Sequence, residues 1–148
     1  GSDHPQVAAV NGVVDYLEEV HGHHFSGPAT EAEKAAAVHR LFRDHETDLL
    51  QPALDFLGER PGVRLIGRTS AAERAPTVAF SVDGKRSQDI AADLAERGLG
   101  VGAGDFYAYR LVEALGYDMD DGVVRVSFVH YTAPEEIDRL IDALDNIL

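Results

Sequence analysis

The sequence predicts an α+β fold, a two-layer sandwich in which helices cover one face of a small, mostly antiparallel sheet, preceded by long N-terminal helices. Residues 77–82 and 123–129 alternate between large apolar side chains and small or polar ones, as half-buried strands do. Helices predicted over residues 88–97 and 134–147 carry apolar stripes at helical spacing. These stripes can cover the large apolar face of the sheet.

The two faces of the predicted sheet differ in bulk. One face is large and apolar, with side chains from both strands: Val78, Phe80, Val82, Val124, Val126 and Phe128. The other face is small or polar: Thr77, Ala79, Ser81, Arg125 and Ser127. This second face lacks the bulk for a core of its own, so we expect it to be solvated or to dock against another domain. Arg125 is conspicuous there, because a permanent charge among small side chains leaves space for a carboxylate or phosphate.

Two long helices are predicted before the sheet. Residues 3–20 carry an apolar stripe, and Thr30 with Glu33 forms a capping box that begins a second helix of about 28 residues. Pro52 is expected to kink or divide this helix, because it lacks a backbone N–H and its ring crowds the preceding turn.

The remaining elements are short. Residues 63–66 form a strand, Ser87 caps a helix that ends at Gly98, and residues 107–115 form a helix. Thr132 and Glu135 are predicted to make a capping box at the start of the last helix.

Three segments carry residues typical of ligand sites, and each lacks part of the pattern. His21, His23 and His24 have no carboxylate at helical spacing, so we expect a solvated loop rather than a metal site. The acidic residues Asp118, Asp120 and Asp121 lack the rest of a calcium loop and are expected to be solvated.

The third segment, from Gly98 to Gly104, has glycine at every second position. It matches neither the dinucleotide fingerprint nor the phosphate loop. We expect a short strand over residues 99–101 that runs into a loop whose backbone is closely approached by another group.

Composition limits the partners. The 148 residues suit one domain, over residues 3–148, after a Gly1-Ser2 remnant typical of an expression tag. The absence of cysteine makes the reducing cytoplasm the expected compartment. A net charge of −13 argues against nucleic acid and anionic membranes, and no apolar run has the length of a membrane span.

The C-terminal sequence resembles a known family. The run Arg125-Val-Ser-Phe-Val-His-Tyr-Thr-Ala-Pro-Glu-Glu-Ile-Asp-Arg-Leu resembles the end of class V aminotransferases, in particular the cysteine desulfurase-like group, which ends R-x-S/G-x-x-x-Y-N-T-x-E-E-V-D-R-L. Similar segments occur in the same order over residues 61–65, 76–80 and 98–107. The resemblance covers residues 30–148, with the first helix leading in.

The resemblance implies a fold-type-I enzyme that uses pyridoxal 5′-phosphate (PLP), acts on an amino acid and is usually a homodimer. This chain resembles the C-terminal small domain alone, and the large domain with most of the cofactor site would be its missing partner. In the family, the arginine that matches Arg125 binds the substrate's α-carboxylate.

The cofactor lysine is not among the residues that match the family. Lys34 and Lys85 are the only lysines, and neither lies in the family's Ser/Thr-x-His-Lys setting. A PLP enzyme needs a lysine for its Schiff base. We therefore expect no catalytic residue, no cofactor-binding residue and no PLP in this fragment, which should be inactive by itself.

The active-site loop departs from the desulfurase pattern. The family sequence Gly-His-His-Cys corresponds to Gly104-Asp105-Phe106-Tyr107, so Tyr107 stands where desulfurases have their nucleophilic cysteine. A phenol cannot accept sulfur to form a persulfide. The family's arginine before this loop corresponds to Gly102. Transamination, epimerisation or a lyase reaction is chemically easier for such a site than desulfuration.

Two other functions are compatible with the same residues. The chain could be a free-standing α+β ligand-binding or regulatory module with an anion site at Arg125. It could also be a protein–protein adaptor that uses the bare face of the sheet.

Overall fold

The computed structural model describes residues 3–148, and within them it contains five α-helices and one four-stranded sheet. A single 3₁₀ turn, Ala71–Glu73, lies between the first two strands. In chain order the elements are α1 (His4–His24), α2 (Glu31–Glu59), β1 (Val63–Ile66), β2 (Thr77–Val82), α3 (Ser87–Glu96), β3 (Gly102–Gly104), α4 (Tyr109–Ala114), β4 (Val123–Ser127) and α5 (Pro134–Ile147). The predicted α+β class is confirmed.

The chain divides into two compact units, one ending at His45 and the other running from Glu46 to Leu148. The boundary falls inside α2, so the first unit contains α1 and the start of α2. The second unit contains the rest of α2, the sheet and the other helices. α2 remains helical through Pro52 and is not divided there. The assignment of residues 3–148 to a single domain stays a prediction.

The sheet is antiparallel throughout, in the order β1-β2-β4-β3. The register places Val78 opposite Val126 and Phe80 opposite Val124. The alternation read from the sequence therefore places these four residues on one face, and all four are buried.

Helices cover this apolar face. The core joins the buried strand residues to side chains of three helices: Leu50, Leu54 and Leu57 of α2, Ile90 and Leu94 of α3, and Ile137, Leu140 and Leu144 of α5. The predicted covering by α3 and α5 is confirmed, and the C-terminal half of α2 joins them. Each buried Leu or Ile side chain contributes roughly 1.5–3 kcal/mol of transfer free energy.

The N-terminal unit corrects one prediction. α1 continues to His24, so the three histidines lie in its last turn and not in a loop. The predicted capping box of α2 is confirmed, since Glu33 N–H donates to Thr30 Oγ1 at 3.3 Å and Thr30 N–H donates to Glu33 Oε2 at 2.8 Å. Four of the five valines of α1 are 51–63% exposed: Val7, Val10, Val13 and Val14.

The cap of α3 comes from a distant loop. Ser87 is the first residue of α3 and does not cap it with its own side chain. Its N–H donates to Asp121, whose two carboxylate oxygens both lie at 2.9 Å. Asp121 is thus not solvated as predicted, because an anion at a helix N-terminus is stabilised by the orphan N–H groups and the helix dipole.

The start of α5 differs from the prediction by one residue. Ala133 occupies the N-cap position, and its N–H donates to Glu136 Oε2 at 2.8 Å. Thr132 Oγ1 instead accepts from Val129 N–H at 3.1 Å. Because alanine has no side-chain acceptor, only the glutamate half of a capping box is present.

The glycine-rich segment forms a strand three residues later than predicted, at Gly102–Gly104. The predicted close approach is confirmed. A Cβ atom added to Gly122 would lie 2.2 Å from the carbonyl carbon of Gly104, where β3 meets β4.

No helix within residues 3–148 combines the length and the hydropathy needed to cross a membrane.

Replacing Gly122 with alanine should destabilise the chain strongly. The new Cβ would meet the Gly104 backbone, and Gly122 has a φ of +70°. Overpacking and left-handed strain together should lower the free energy of unfolding by about 3 kcal/mol, measured by urea denaturation. Gly116→Ala is the matched control, because Gly116 has a φ of +77° with nothing within 4 Å. It should lose only about 1 kcal/mol, and equal losses would contradict the contact.

Removing the remote cap should loosen α3. Asp121→Ala deletes the acceptor of Ser87 N–H and should lower the free energy of unfolding by about 1 kcal/mol, with faster amide exchange in the first turn of α3. Asp120→Ala removes an acidic side chain from the same loop. Asp120→Ala should change neither the free energy of unfolding nor the amide exchange of α3. An equal loss of stability in Asp120→Ala would show that the charge of the loop stabilises the chain and not the cap.

Candidate functional site

The candidate site lies on the second face of the sheet, around Arg125. Strand β4 holds Arg125 directly opposite Ala79 of β2 and Gly102 of β3. Both neighbours are small, and Arg125 is exposed. The alternation of β4 turns this residue away from the helix-covered core, because Val124 and Val126 occupy the opposite face.

An aromatic ring covers one flat face of the Arg125 guanidinium. Its Cζ atom lies 3.9 Å from the centroid of the Phe106 ring. The N–H donors of a guanidinium lie in its plane, so a ring stacked on the face leaves them available. Within residues 3–148, no acidic side chain forms an ion pair with Arg125. Arg125 is therefore packed against Phe106 on one side, and no acidic side chain of residues 3–148 occupies its N–H donors.

The loop between β3 and α4 places Phe106 on the sheet. Asp105 Oδ1 accepts from Tyr107 N–H at 3.0 Å, and Asp105 O accepts from Ala108 N–H at 2.8 Å. Phe106 and Tyr107 have φ angles of 52° and 62°, a left-handed conformation that aromatic residues seldom adopt. Two such residues in succession cost about 1 kcal/mol or more each, so the surrounding contacts must impose them.

Gly102 and Phe106 fit each other. A Cβ atom on Gly102 would lie 2.7 Å from Phe106 Cε1, closer than nonbonded carbon atoms approach. An arginine at position 102, as in the desulfurase pattern, is incompatible with the ring in this place. The absence of a side chain at Gly102 and the position of the Phe106 ring therefore go together, and both adjoin Arg125.

Of the three predicted loop residues, Gly104 and Asp105 have structural contacts, and Tyr107 lies at the surface. Gly104 ends β3 beside Gly122, and Asp105 supplies the turn hydrogen bond. Tyr107, which we predicted to correspond to the desulfurase cysteine, is fully exposed, with a relative accessibility of 104%. The loop residue whose ring contacts Arg125 is Phe106, which sequence reasoning missed. The strict glycine alternation at Gly102 was the available signal, because it marked a backbone that something approaches.

The rest of the second face is polar, apart from the buried side chain of Val123. Ser127 hydrogen-bonds to Thr77, whose hydroxyl donates to Val126 O at 3.0 Å. Arg64, opposite Ser81, stacks over the ring of Tyr117 at 4.7 Å. Val123 is buried but lies outside the main core. The face is thus less bare than predicted at its Val123 end, and it remains open around Arg125.

The lysines of the chain do not fit PLP bound as a Schiff base. Lys34 Nζ lies 2.7 Å from Glu31 Oε1, and this hydrogen bond raises the pKa of Lys34. A Schiff-base lysine needs the opposite shift, towards the neutral amine. Lys85 Nζ donates to Ile147 O at 2.6 Å, at the C-terminal end of α5.

Metal binding has no support in the part of the chain that the structure describes. Residues 3–148 contain no group of three or more His, Asp or Glu side chains placed to hold one ion. His21 is nearly buried and stacks on Phe25 with ring centroids 5.2 Å apart, which is the contact of a packed histidine.

Comparison with known proteins identifies the family. The model of the aminotransferase class-V family matches residues 18–140. The chain belongs to the class V aminotransferase family. Among curated relatives, it is 40% identical over 108 residues to the aminotransferase-like protein FGM3 of Gibberella zeae, covering 71% of this chain and 27% of that protein. It is 38% identical to a probable cysteine desulfurase of Pseudomonas putida, covering 68% and 23% respectively.

Solved structures of the family share the fold. The cysteine desulfurase of Thermococcus onnurineus superposes with a TM-score of 0.66 at 25% identity, over 79% of this chain and 29% of that one. The cysteine desulfurase CsdA of Escherichia coli gives 0.61 at 28% identity, over 82% and 31%. This chain therefore spans about a quarter to a third of the length of these relatives.

Proposed function

We propose that the chain is the C-terminal, substrate-carboxylate-binding domain of a PLP-dependent enzyme that acts on an amino acid. The observation that carries the proposal is Arg125. It is exposed, stacked on Phe106 and free of acidic partners within residues 3–148. A guanidinium in this state can bind a carboxylate through two parallel N–H···O bonds.

The rest of the site would lie in a large domain outside this chain. That domain would supply the Schiff-base lysine and most of the cofactor contacts, which Lys34 and Lys85 do not fit. The family resemblance also supports a homodimer, and the absence of cysteine favours the reducing cytoplasm as its compartment. The fragment without the large domain would be inactive, since Arg125 provides binding and no reacting group.

The reaction we propose is transamination, epimerisation or a lyase reaction and not desulfuration through a persulfide. Several relatives are named cysteine desulfurases, but this chain contains no cysteine. Tyr107 stands at the position of the nucleophile, and a phenol oxygen cannot carry the transferred sulfur.

Removing the guanidinium should weaken substrate binding. In the full-length enzyme, Arg125→Ala should raise the KM for an amino-acid substrate by about 10- to 100-fold, since charge-assisted hydrogen bonds contribute about 1.5–3 kcal/mol. Arg125→Lys should give a KM between those of the wild type and Arg125→Ala, because an ammonium keeps the charge but cannot form the two parallel hydrogen bonds of a guanidinium. Arg64→Ala removes an arginine from the same face and should leave KM near the wild-type value. An unchanged KM for Arg125→Ala would refute the role.

The isolated chain should not form a Schiff base with PLP at a specific lysine. After incubation with PLP and dialysis, its visible absorption should match that of a Lys34→Arg, Lys85→Arg double variant. A persistent visible band in the wild-type chain that this variant lacks would show that one of the two lysines binds the cofactor.

A further inference from the structure

We propose that Phe106 is a positioning residue for Arg125 and the apolar wall of its ligand site, selecting amino acids with apolar or aromatic side chains over acidic ones. The inference rests on the proposed function, because it concerns how Arg125 is held for a carboxylate. Its evidence is the packing of the Phe106 ring against Gly102 and Arg125, which face each other across β3 and β4.

The stack fixes the direction of the arginine fork. An exposed arginine samples many rotamers, and binding a carboxylate must restrict them. With its Cζ atom 3.9 Å from the Phe106 centroid, Arg125 is already restricted before a ligand arrives. A cation–π contact uses the face of the guanidinium, so the in-plane donors stay free. Preorganisation of this kind raises affinity by lowering the entropy lost on binding.

The ring is supported from behind by the backbone of β3. Gly102 pairs with Arg125 across the β3–β4 ladder, and a Cβ on Gly102 would lie 2.7 Å from the ring. The ring therefore occupies the place of a side chain at position 102. It spans from the glycine backbone to the guanidinium, and any side chain at Gly102 would push it away.

The loop holds Phe106 in this place through a costly conformation. Its φ of 52° is left-handed, and the turn around it is closed by Asp105, which accepts from Tyr107 N–H at 3.0 Å. A loop without this constraint would release Phe106 to an ordinary extended conformation. The strained backbone coincides with the residue whose ring contacts Arg125, as is common where strain serves a site.

The side chains that this chain places around Arg125 favour one class of ligand. One neighbour is the Phe106 ring, and the opposite neighbour is Ala79. The other arginine of this face, Arg64, lies beyond β2 and is stacked on Tyr117. Among residues 3–148, a second carboxylate next to the ring would have no cationic partner besides Arg125, whereas an apolar group would be buried favourably against the ring.

Kinetics of the full-length enzyme test the positioning. Phe106→Leu removes the aromatic face and should raise KM for L-leucine or L-phenylalanine about 3- to 10-fold, with a much smaller change in kcat. Phe106→Tyr keeps the ring and should restore KM. Gly102→Ala keeps Phe106 but displaces its ring, so it should raise KM to a similar extent. Gly100→Ala is the matched control, because nothing lies within 4 Å of a Cβ there.

Selectivity tests the ligand class. The ratio of kcat/KM for L-leucine to that for L-aspartate should exceed one in the wild type and fall in Phe106→Leu. Gly102→Ala and Phe106→Leu disturb one contact, so the double variant should be no worse than either single variant. A ratio that favours L-aspartate in the wild type, or that is the same in Phe106→Leu, would overturn the assigned class.

A spectroscopic readout separates this inference from the proposed function. In the ¹⁵N-labelled chain, the Nε–H resonance of Arg125, assigned with Arg125→Lys, should move in Phe106→Leu and Gly102→Ala and stay in place in Phe106→Tyr and Gly100→Ala. If KM and this resonance are both unchanged in Phe106→Leu and Gly102→Ala while Arg125→Ala raises KM, Phe106 has no positioning role and the proposed function stands. If Arg125→Ala leaves KM unchanged, the proposed function fails and this inference fails with it.

Discussion

The close approach of two backbone segments, at Gly122 and Gly104, is the constraint on which the rest of the site depends. A side chain on Gly122 would collide with Gly104, so only glycine lets β3 pair with β4 at this point. That pairing brings Gly102 opposite Arg125. The residue just before Gly122 is Asp121, which caps α3 from across the fold. One tight contact thus joins the edge of the sheet, a core helix and the candidate site.

The site itself depends on a loop side chain that fills the space above a glycine of β3. Residue 102 is glycine, and the Phe106 ring occupies the space where a side chain at this position would lie. The ring reaches that place only because the loop adopts left-handed angles at Phe106 and Tyr107. The ring then lies against Arg125, which has no acidic partner within residues 3–148. A salt bridge to a local acid would also have fixed Arg125, but it would have occupied the edge that a carboxylate ligand needs.

The role that we propose for this chain is binding and not reaction. Arg125 can hold a carboxylate, whereas Lys34 pairs with Glu31 and Lys85 donates to the backbone of α5. The second face of the sheet is open around Arg125, which suits a site completed by another domain. The matched relatives are three to four times longer than the aligned part of this chain, which is consistent with such a domain.

The sequence by itself determined the fold class, the two faces of the sheet and the position of Arg125, because alternation along β2 and β4 is a local property with a period of two. It also indicated that something approaches the glycine-rich backbone, although not what. Only the tertiary structure decided the partners. Asp121 caps α3 from 34 residues away, and Thr132 Oγ1 accepts from Val129 N–H in the turn before α5. Phe106, with its stack on Arg125, depends on a strained loop and on a glycine in another strand. Contacts between residues distant in sequence depend on where the chain brings them together, and no local pattern encodes that.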